Sequence, residues 1–187
     1  MSQVAEAPER VSYPPAGRYE LEPAHTSVEF VARHMLSKVR GRFGEVTGWV
    51  DVTADGQAAV EARIQTASIS TNQEMRDGHL KSADFLDVEN HPTLEFRSTD
   101  FHRTGENTFE LDGELTIRKV SNPVTLTGEF HGWGPDMNGT PMLAASARTT
   151  IDREDWGMTW NAAVETGGLL VGKKVDIELD AEAKLVS

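Results

Sequence analysis

TFELDGELTIRKVSNPVTLTGEF, residues 108–130, decides the fold class. Phe109, Leu111, Leu115 and Ile117 alternate with Glu110, Asp112, Glu114 and Arg118, and Val124, Leu126 and Phe130 alternate with Thr125, Thr127 and Glu129. A period of two places one set on each face of a strand, whereas a helix needs a period of about 3.6. Ser121-Asn122-Pro123 carries turn chemistry between the two runs, so the stretch reads as two amphipathic strands joined there.

The same period extends in both directions. Toward the N-terminus, Val28, Phe30 and Ala32 alternate with Ser27, Glu29 and Arg33 over Thr26 to His34. A glycine-punctuated strand follows over Arg42 to Thr53, with Trp49 on an undecided face, and Val60, Ala62 and Ile64 continue the pattern after the turn Ala54-Asp55-Gly56. Leu94 and Phe96 lead into the opening stretch. Beyond it come Leu143, Ala145, Ala147, Thr149 and Ile151, then Val175, Ile177 and Leu179. Thr104-Gly105-Glu106-Asn107 and Met137-Asn138-Gly139 supply further turns. The sum is about eight strands, each with one apolar face and no helices to cover it. Such strands cover one another, and long consecutive strands with short connections favour an up-and-down antiparallel β-barrel, which also removes exposed edges. An eight-stranded barrel is wide enough either to be filled by side chains or to hold one small ligand. Small inward positions (Ala32, Ala62, Gly113, Gly128, Ala145, Ala147) leave volume that neighbouring rings or a ligand must fill. Thr26, His34, Ser98 and Thr149 are the polar members of the inward set.

Composition sets the outer limits. The chain has 187 residues with 38% apolar content, enough for one sizeable core: an N-terminal arm over residues 1–16 and a single domain over 17–187. A net charge of −12 speaks against nucleic acid and against an anionic membrane surface as partners. There is no cysteine, hence no disulfide or thiolate chemistry. No apolar run reaches the length of a membrane span, and the first 17 residues have neither a basic n-region nor an apolar h-region, so a cytoplasmic protein without stable membrane insertion is expected.

Ser68 to Pro92, SISTNQEMRDGHLKSADFLDVENHP, interrupts the β pattern and holds the one good helix candidate. Ser70 and Thr71, each followed three residues later by Gln73 or Glu74, have the form of a capping box. Gly78 marks a point where that helix is expected to break or end. The dense charges around Arg76, Asp77, Asp84 and Asp87 read first as an ion-pair and capping cluster anchoring the helix across the barrel.

AHTSVEFVARHMLSKVRGRF (24–43), RDGHLKSADFLDVENHPTLEF (76–96), GELTIRKVSNPVTL (113–126) and IDREDWGM (151–158) together resemble the YceI-like family of lipid-binding proteins, in order and over nearly all of residues 17–185. The resemblance implies an extended, lipocalin-like antiparallel barrel whose elongated apolar lumen holds a polyisoprenoid chain, as a carrier or storage protein and not an enzyme. Nothing in the composition or periodicity selects isoprenoid over fatty acid. On that basis the expected lining is Val28, Phe30, His34, Ile64, Phe96, Leu115, Ile117, Leu126, Phe130 and Ile151, with Met75, Phe85, Trp156, Met158 and Trp160 at the mouth or floor. Arg76 and His79 are the candidates for a head group, since Arg offers a fixed fork of donors and His can donate or accept. Gly167-Gly168 reads as a flap or an oligomer contact, and a homodimer is compatible with the pattern.

HExxH, G-x-S-x-G, P-loop and G-x-G-x-x-G patterns do not occur, and His79, Asp84, Asp87 and His91 fit no standard metal spacing, so no metal or cofactor is expected beyond the bound lipid. The competing reading is a hydrolase or isomerase that uses His79 or His34 as acid and base in the same cavity.

Overall fold

The computed structural model describes residues 13–163, 165 and 169–187. Its strands are β1 (Gly17–Leu21), β2 (Ser27–His34), β3 (Ser37–Phe43), β4 (Val46–Val52), β5 (Ala58–Gln65), β6 (Ile69–Ser70), β7 (Thr93–Arg103), β8 (Thr108–Ile117), β9 (Val120–Pro135), β10 (Pro141–Asp152) and β11 (Val171–Leu185), with one helix, α1 (Glu74–Lys81). The eleven strands make eight staves. β1 and β2 form one bent stave along β11, from Tyr19 opposite Leu185 to His34 opposite Val171. β3 and β4 bend at Gly44, and β5 and β6 bend at the 3-10 turn Thr66–Ser68. The two corners hold each other: the Gly44 N–H donates to the Ser68 carbonyl (3.2 Å) and the Glu45 N–H to Ser68 Oγ (3.1 Å). Every stave pairs antiparallel with its sequence neighbour, and β11 closes the circle on β1 and β2. The all-β, closed up-and-down barrel expected from periodicity is therefore the fold.

Both long connections lie at one end, the helical end: residues 71–92 with α1, and the β10–β11 connection starting with the 3-10 turn Arg153–Trp156. The tight turns Met35-Leu36 and Arg118-Lys119 share that end. The opposite, hairpin end has the turns over 53–57, 104–107 and 136–140 and receives residues 13–16. The expected N-terminal arm lies mostly outside the described residues, but Tyr13–Ala16 is placed: Tyr13 packs on Arg103, and the Tyr19 hydroxyl donates to the Pro15 carbonyl (2.8 Å). The Gly167-Gly168 expectation also falls outside the described residues.

Three local expectations change. The turn expected at Ser121-Asn122-Pro123 sits earlier, at Arg118 and Lys119, whose φ angles of 52° and 63° are the left-handed pair of a type I′ hairpin. Pro123 lies inside β9, opposite Glu114, in the part of β9 that pairs with β8 only; a strand with one free edge tolerates the missing N–H. The helix begins later than its capping box, with Gln73 as N-cap accepting from the Arg76 N–H, and it runs through Gly78 to Lys81. Trp49 faces outward under the Arg18 guanidinium (4.9 Å), while Val50 faces the lumen.

Tertiary bonds hold the short helix where propensity alone would not. Thr71 donates its N–H (2.8 Å) and its hydroxyl (2.5 Å) to Asp77 Oδ1, while Arg76 Nε donates to the same hydroxyl (2.7 Å) and Arg76 Nη2 to the Thr71 carbonyl (3.0 Å). Burial pushes the Asp77 carboxyl up, and the hydrogen bonds from Thr71 and Ser70 together with the Arg76 charge outweigh it, leaving the carboxyl below its ordinary value. The far side of the connection is tied by fully buried Thr66, whose N–H reaches the Pro92 carbonyl (2.9 Å) and whose hydroxyl reaches that of His91 (2.8 Å).

Inside the barrel, aromatic rings lie over glycines. Phe30 covers its cross-strand partner Gly41, Phe109 covers its partner Gly128, and Phe96 covers Gly113. A Cβ at any of the three would fall within 3.0 Å of the ring. Gly128→Val is expected to lower stability by about 1–3 kcal/mol through overpacking, read as a shift in the urea midpoint. Combining it with Phe109→Leu is expected to recover part of the loss, whereas additive losses would place the strain elsewhere.

A second expectation concerns Asp77. A carboxyl depressed in the folded state contributes stability that is complete above its unfolded value and is lost as pH falls through the folded one. Asp77→Asn is therefore expected to cost about 1–2 kcal/mol near neutral pH. The gap between wild type and variant should persist at weakly acid pH and close as the pH drops below the ordinary value of 3.8, in urea titrations run at stepped pH.

Candidate functional site

A cavity of about 350 Å³ follows the barrel axis. Leu80, Phe85, Leu86, Arg153, Met158 and Val171 line its helical end, and Pro14, Arg103, Glu106, Asn107 and Thr108 its hairpin end. Between them the wall is the inward apolar set, including Val28, Phe30, Ile64, Phe96, Leu115, Ile117, Leu126, Phe130 and Ile151. The rings over glycines narrow this space without filling it, and Ala32, Ala62, Ala145 and Ala147 leave wall open to it.

Eleven of the fifteen lining residues expected from the sequence border this space, those nine with Phe85 and Met158. Four do not. His34 ends β2 away from the lumen, opposite Ser37 and Val171. Met75 is 82% exposed on α1. Trp156 is buried beside the barrel wall, its indole N–H donating to the Leu115 carbonyl (2.9 Å). Trp160 stands behind the cavity, against the rings of His79 (4.5 Å between centroids) and Phe85 (5.5 Å).

The two head-group candidates also lie off the lumen. The Arg76 guanidinium is engaged with Thr71, and His79 Nε2 is held by Asp84 (2.9 Å) with its ring edge-on to Phe85. His91 pairs separately with Asp87 (3.6 Å), so the four residues weighed as a metal cluster form two distinct pairs; among the described residues no His, Asp and Glu cluster suited to a metal is present.

The cavity's buried cation is one that sequence reasoning missed. Arg153 is 3% exposed and borders the lumen at the helical end. Its Nε donates to the Gly172 carbonyl (2.9 Å), Nη2 to that of Val171 (3.4 Å) and Nη1 to that of Met158, and the Phe85 ring lies 5.8 Å from its Cζ. An arginine has five N–H donors, so three carbonyls leave two. Burial lowers its pKa, opposed by the charges of Glu154 and Asp152. Those carboxylates are turned to Lys173 (2.7 Å) and Lys174 (3.4 Å). The signal was available: continuing the β10 alternation 147, 149, 151 puts residue 153 on the inward face. At the hairpin end, Arg103 stacks on Tyr13 (3.9 Å) and donates to the Gly56 carbonyl (3.4 Å), with Pro14 beside them at the cavity rim.

No helix among the described residues is long and apolar enough to cross a membrane. A family profile described as the YceI-like domain matches residues 19–183. A UPF0312 protein of Staphylococcus aureus strain N315 is 35% identical over 168 residues, 88% of this chain and 95% of the relative. Among solved structures, BcnA of Burkholderia cenocepacia superposes with a TM-score of 0.74 at 20% identity, over 87% of this chain and 98% of that one. A YceI protein of Campylobacter jejuni gives 0.73 at 22% identity over 83% and 90%. A polyisoprenoid-binding domain from Saccharophagus degradans, implicated in plant cell wall breakdown, gives 0.66 at 13% identity over 92% and 100%. The likeness to these structures is one of fold, and the profile match over most of the chain assigns the family: the chain belongs to the YceI-like family.

Proposed function

We propose that the protein holds one long apolar lipid of polyisoprenoid type in its lumen, as a carrier or store and without catalysing a reaction on it. The observation that carries this reading is the apolar cavity running from Leu80 and Phe85 at one end to Phe101 and Phe109 toward the other. The barrel that encloses it is longer than a fatty acid needs, which supports a longer chain. β11 has 15 residues. At about 3.3 Å per residue and a tilt near 40°, that corresponds to roughly 38 Å along the axis. An acyl chain spans about half of a 30 Å bilayer core, roughly 15 Å. Each buried methylene contributes about 0.8 kcal/mol, so a long hydrocarbon outweighs the ordering cost of binding with no polar contact at all. The Saccharophagus domain, by its description a polyisoprenoid binder, supports the choice of lipid class. Neither His34 nor His79 borders the lumen, which weighs against an acid–base enzyme in the cavity.

In this reading Arg153 replaces Arg76 and His79 as the residue that meets the lipid's polar end, with the tail directed toward Arg103. A buried guanidinium with spare donors in an apolar lumen favours an anionic head such as a phosphate.

Protein purified from cells, extracted with organic solvent and examined by mass spectrometry, is expected to release close to one prenyl lipid per chain. An empty lumen that also takes up no added prenyl quinone would refute the carrier reading. Ala147→Trp, which places an indole in the lumen from a half-buried wall position, is expected to cut the bound lipid at least about tenfold with the circular dichroism unchanged.

The head-group assignment has its own measurement. Wild-type protein is expected to bind a prenyl monophosphate roughly tenfold more tightly than the alcohol of the same chain length. Arg153→Met is expected to abolish that preference while Arg103→Met keeps it. Equal affinity of the wild type for both lipids would remove Arg153 from the site.

A further inference from the structure

One feature of the helical end serves neither the fold nor the lumen. From Phe30 to Gly44 the chain contains Arg33, Lys38, Arg40 and Arg42 and not one Asp or Glu. The protein's −12 is thus the sum of +4 over residues 30–44 and −16 in the rest of the chain, with Glu29, opposite Arg42, the one carboxylate of the β2–β3 hairpin. All four cations stand on the outer face, since Val28, Phe30 and Ala32 take the inner one. Arg33 lies directly opposite Lys38. Like charges so paired are unfavourable in a sheet, and among the described residues neither has a carboxylate within ion-pair distance. Arg40 has Glu178 at 3.7 Å, a long exposed pair.

The tip of the hairpin breaks a second rule. Met35 has φ 53°, in a two-residue turn whose left-handed position ordinarily takes Gly, Asn or Asp. Leu36 beside it is 99% exposed and Met35 48%. The Met35 N–H donates to the Leu170 carbonyl (2.8 Å), which brings Leu169, itself 53% exposed, next to the tip. A single exposed leucine is unremarkable, but three exposed apolar residues on two segments joined by a backbone hydrogen bond, with Arg33 and Lys38 flanking the turn, are not. On the far side of the same end, the β8–β9 turn repeats the combination with Arg118, Lys119 and a 41% exposed Val120.

We propose that this end docks reversibly on an anionic lipid bilayer, with Leu36, Met35 and Leu169 entering the interface and Arg33 and Lys38 meeting the head groups. The partner follows from the chemistry of the patch: hydrocarbon behind a layer of negative charge is what an apolar tip with a basic collar complements. The protein's overall negative charge does not oppose it. Screening acts over about 8–10 Å, a fraction of the barrel's length, so the carboxylates of the hairpin end are not felt at the tip, and of those at the helical end Asp77, Asp84, Asp87 and Glu154 are engaged by Thr71, His79, His91 and Lys173. Docking goes beyond lumen binding and would bring the lumen's helical end to the phase from which an apolar lipid is drawn.

Full-length protein is mixed with vesicles of phosphatidylcholine containing about one third phosphatidylglycerol, or with phosphatidylcholine alone, and separated by flotation. Binding is expected to the mixed vesicles and to fall steeply when salt rises from about 0.05 to 0.5 M. Each cation near the surface contributes about fivefold in affinity, so the pair Arg33→Gln with Lys38→Gln is expected to weaken binding roughly twentyfold. Leu36→Asp is expected to weaken it at least tenfold, while Met137→Asp, at an equally exposed residue of the hairpin end, leaves it unchanged. No binding to the mixed vesicles, equal binding to both vesicle types, or equal loss in Met137→Asp would each overturn the proposal. Solvent extraction of the same proteins keeps the two readings apart: failed flotation with a filled lumen rejects docking alone, and an empty lumen with flotation retained rejects the carrier alone.

Discussion

Closure of the backbone ladder between β11 and the bent stave β1–β2 is the constraint on which the rest of the structure depends. It requires β11 to serve two strands along one edge, with Ala183 and Leu185 facing β1, and Val175 to Asp180 facing β2. The stave must therefore bend, and it does so at Pro23–His25, outside the ladder. Once closed, no stave of the barrel presents a free edge along its whole length, and every inward side chain is committed to one shared interior. That interior is where energetics and function meet, because the same inward residues form the core and the lining of the cavity.

Close packing and an open lumen coexist through the glycines. A ring laid over Gly41, Gly113 or Gly128 is pressed to the wall and removes little of the axial space, whereas a ring beside a larger residue would project across it. The arrangement lets Phe30, Phe96 and Phe109 contribute apolar area and still leave a channel. Alanines at 62, 145 and 147 act in the same direction by reach alone. The residual cavity costs stability relative to a filled core, and a hydrocarbon ligand is the natural way for that cost to be offset.

Much of this was legible in the sequence because a period of two is set by backbone geometry and survives any change of detail. Residues such as Val28, Ile64, Leu115 and Ile151 fall on the inner face by alternation alone, and the glycines could be recognised as bends or small positions. What was not legible came from tertiary contact overriding local chemistry. Arg118 and Lys119 make a left-handed turn that their residue types do not announce, displacing the expectation from Ser121-Asn122-Pro123. Met75 lies on α1, yet the face that α1 turns to the barrel is set by Thr71 and Asp77, which leaves Met75 outside. His34 keeps the inward phase of β2 but ends beyond the rim. Arg153 is hidden for a different reason: a charged residue breaks the apolar pattern that marks inward positions, even though its phase is correct.

Arg76 and Arg153 show why a residue's type is a poor guide to its role here. Both are drawn into the helical end, and both donate to protein oxygens. Arg76 sits beside Asp77 with Thr71 between them, so its charge is answered within the chain and the cluster reads as a clasp for α1. Arg153 is surrounded by carbonyls, which accept hydrogen bonds but carry no net charge, and its two neighbouring carboxylates are committed to lysines outside. A buried cation whose donors are partly satisfied and whose charge is not is costly in an apolar setting. In the proposed carrier an anion at the lumen's end would relieve that cost, and a neutral polar end would be a weaker occupant. In the proposed carrier, selection of the ligand rests less on the hydrocarbon channel, which would accept any chain of suitable length and width, than on the buried Arg153 charge at its end.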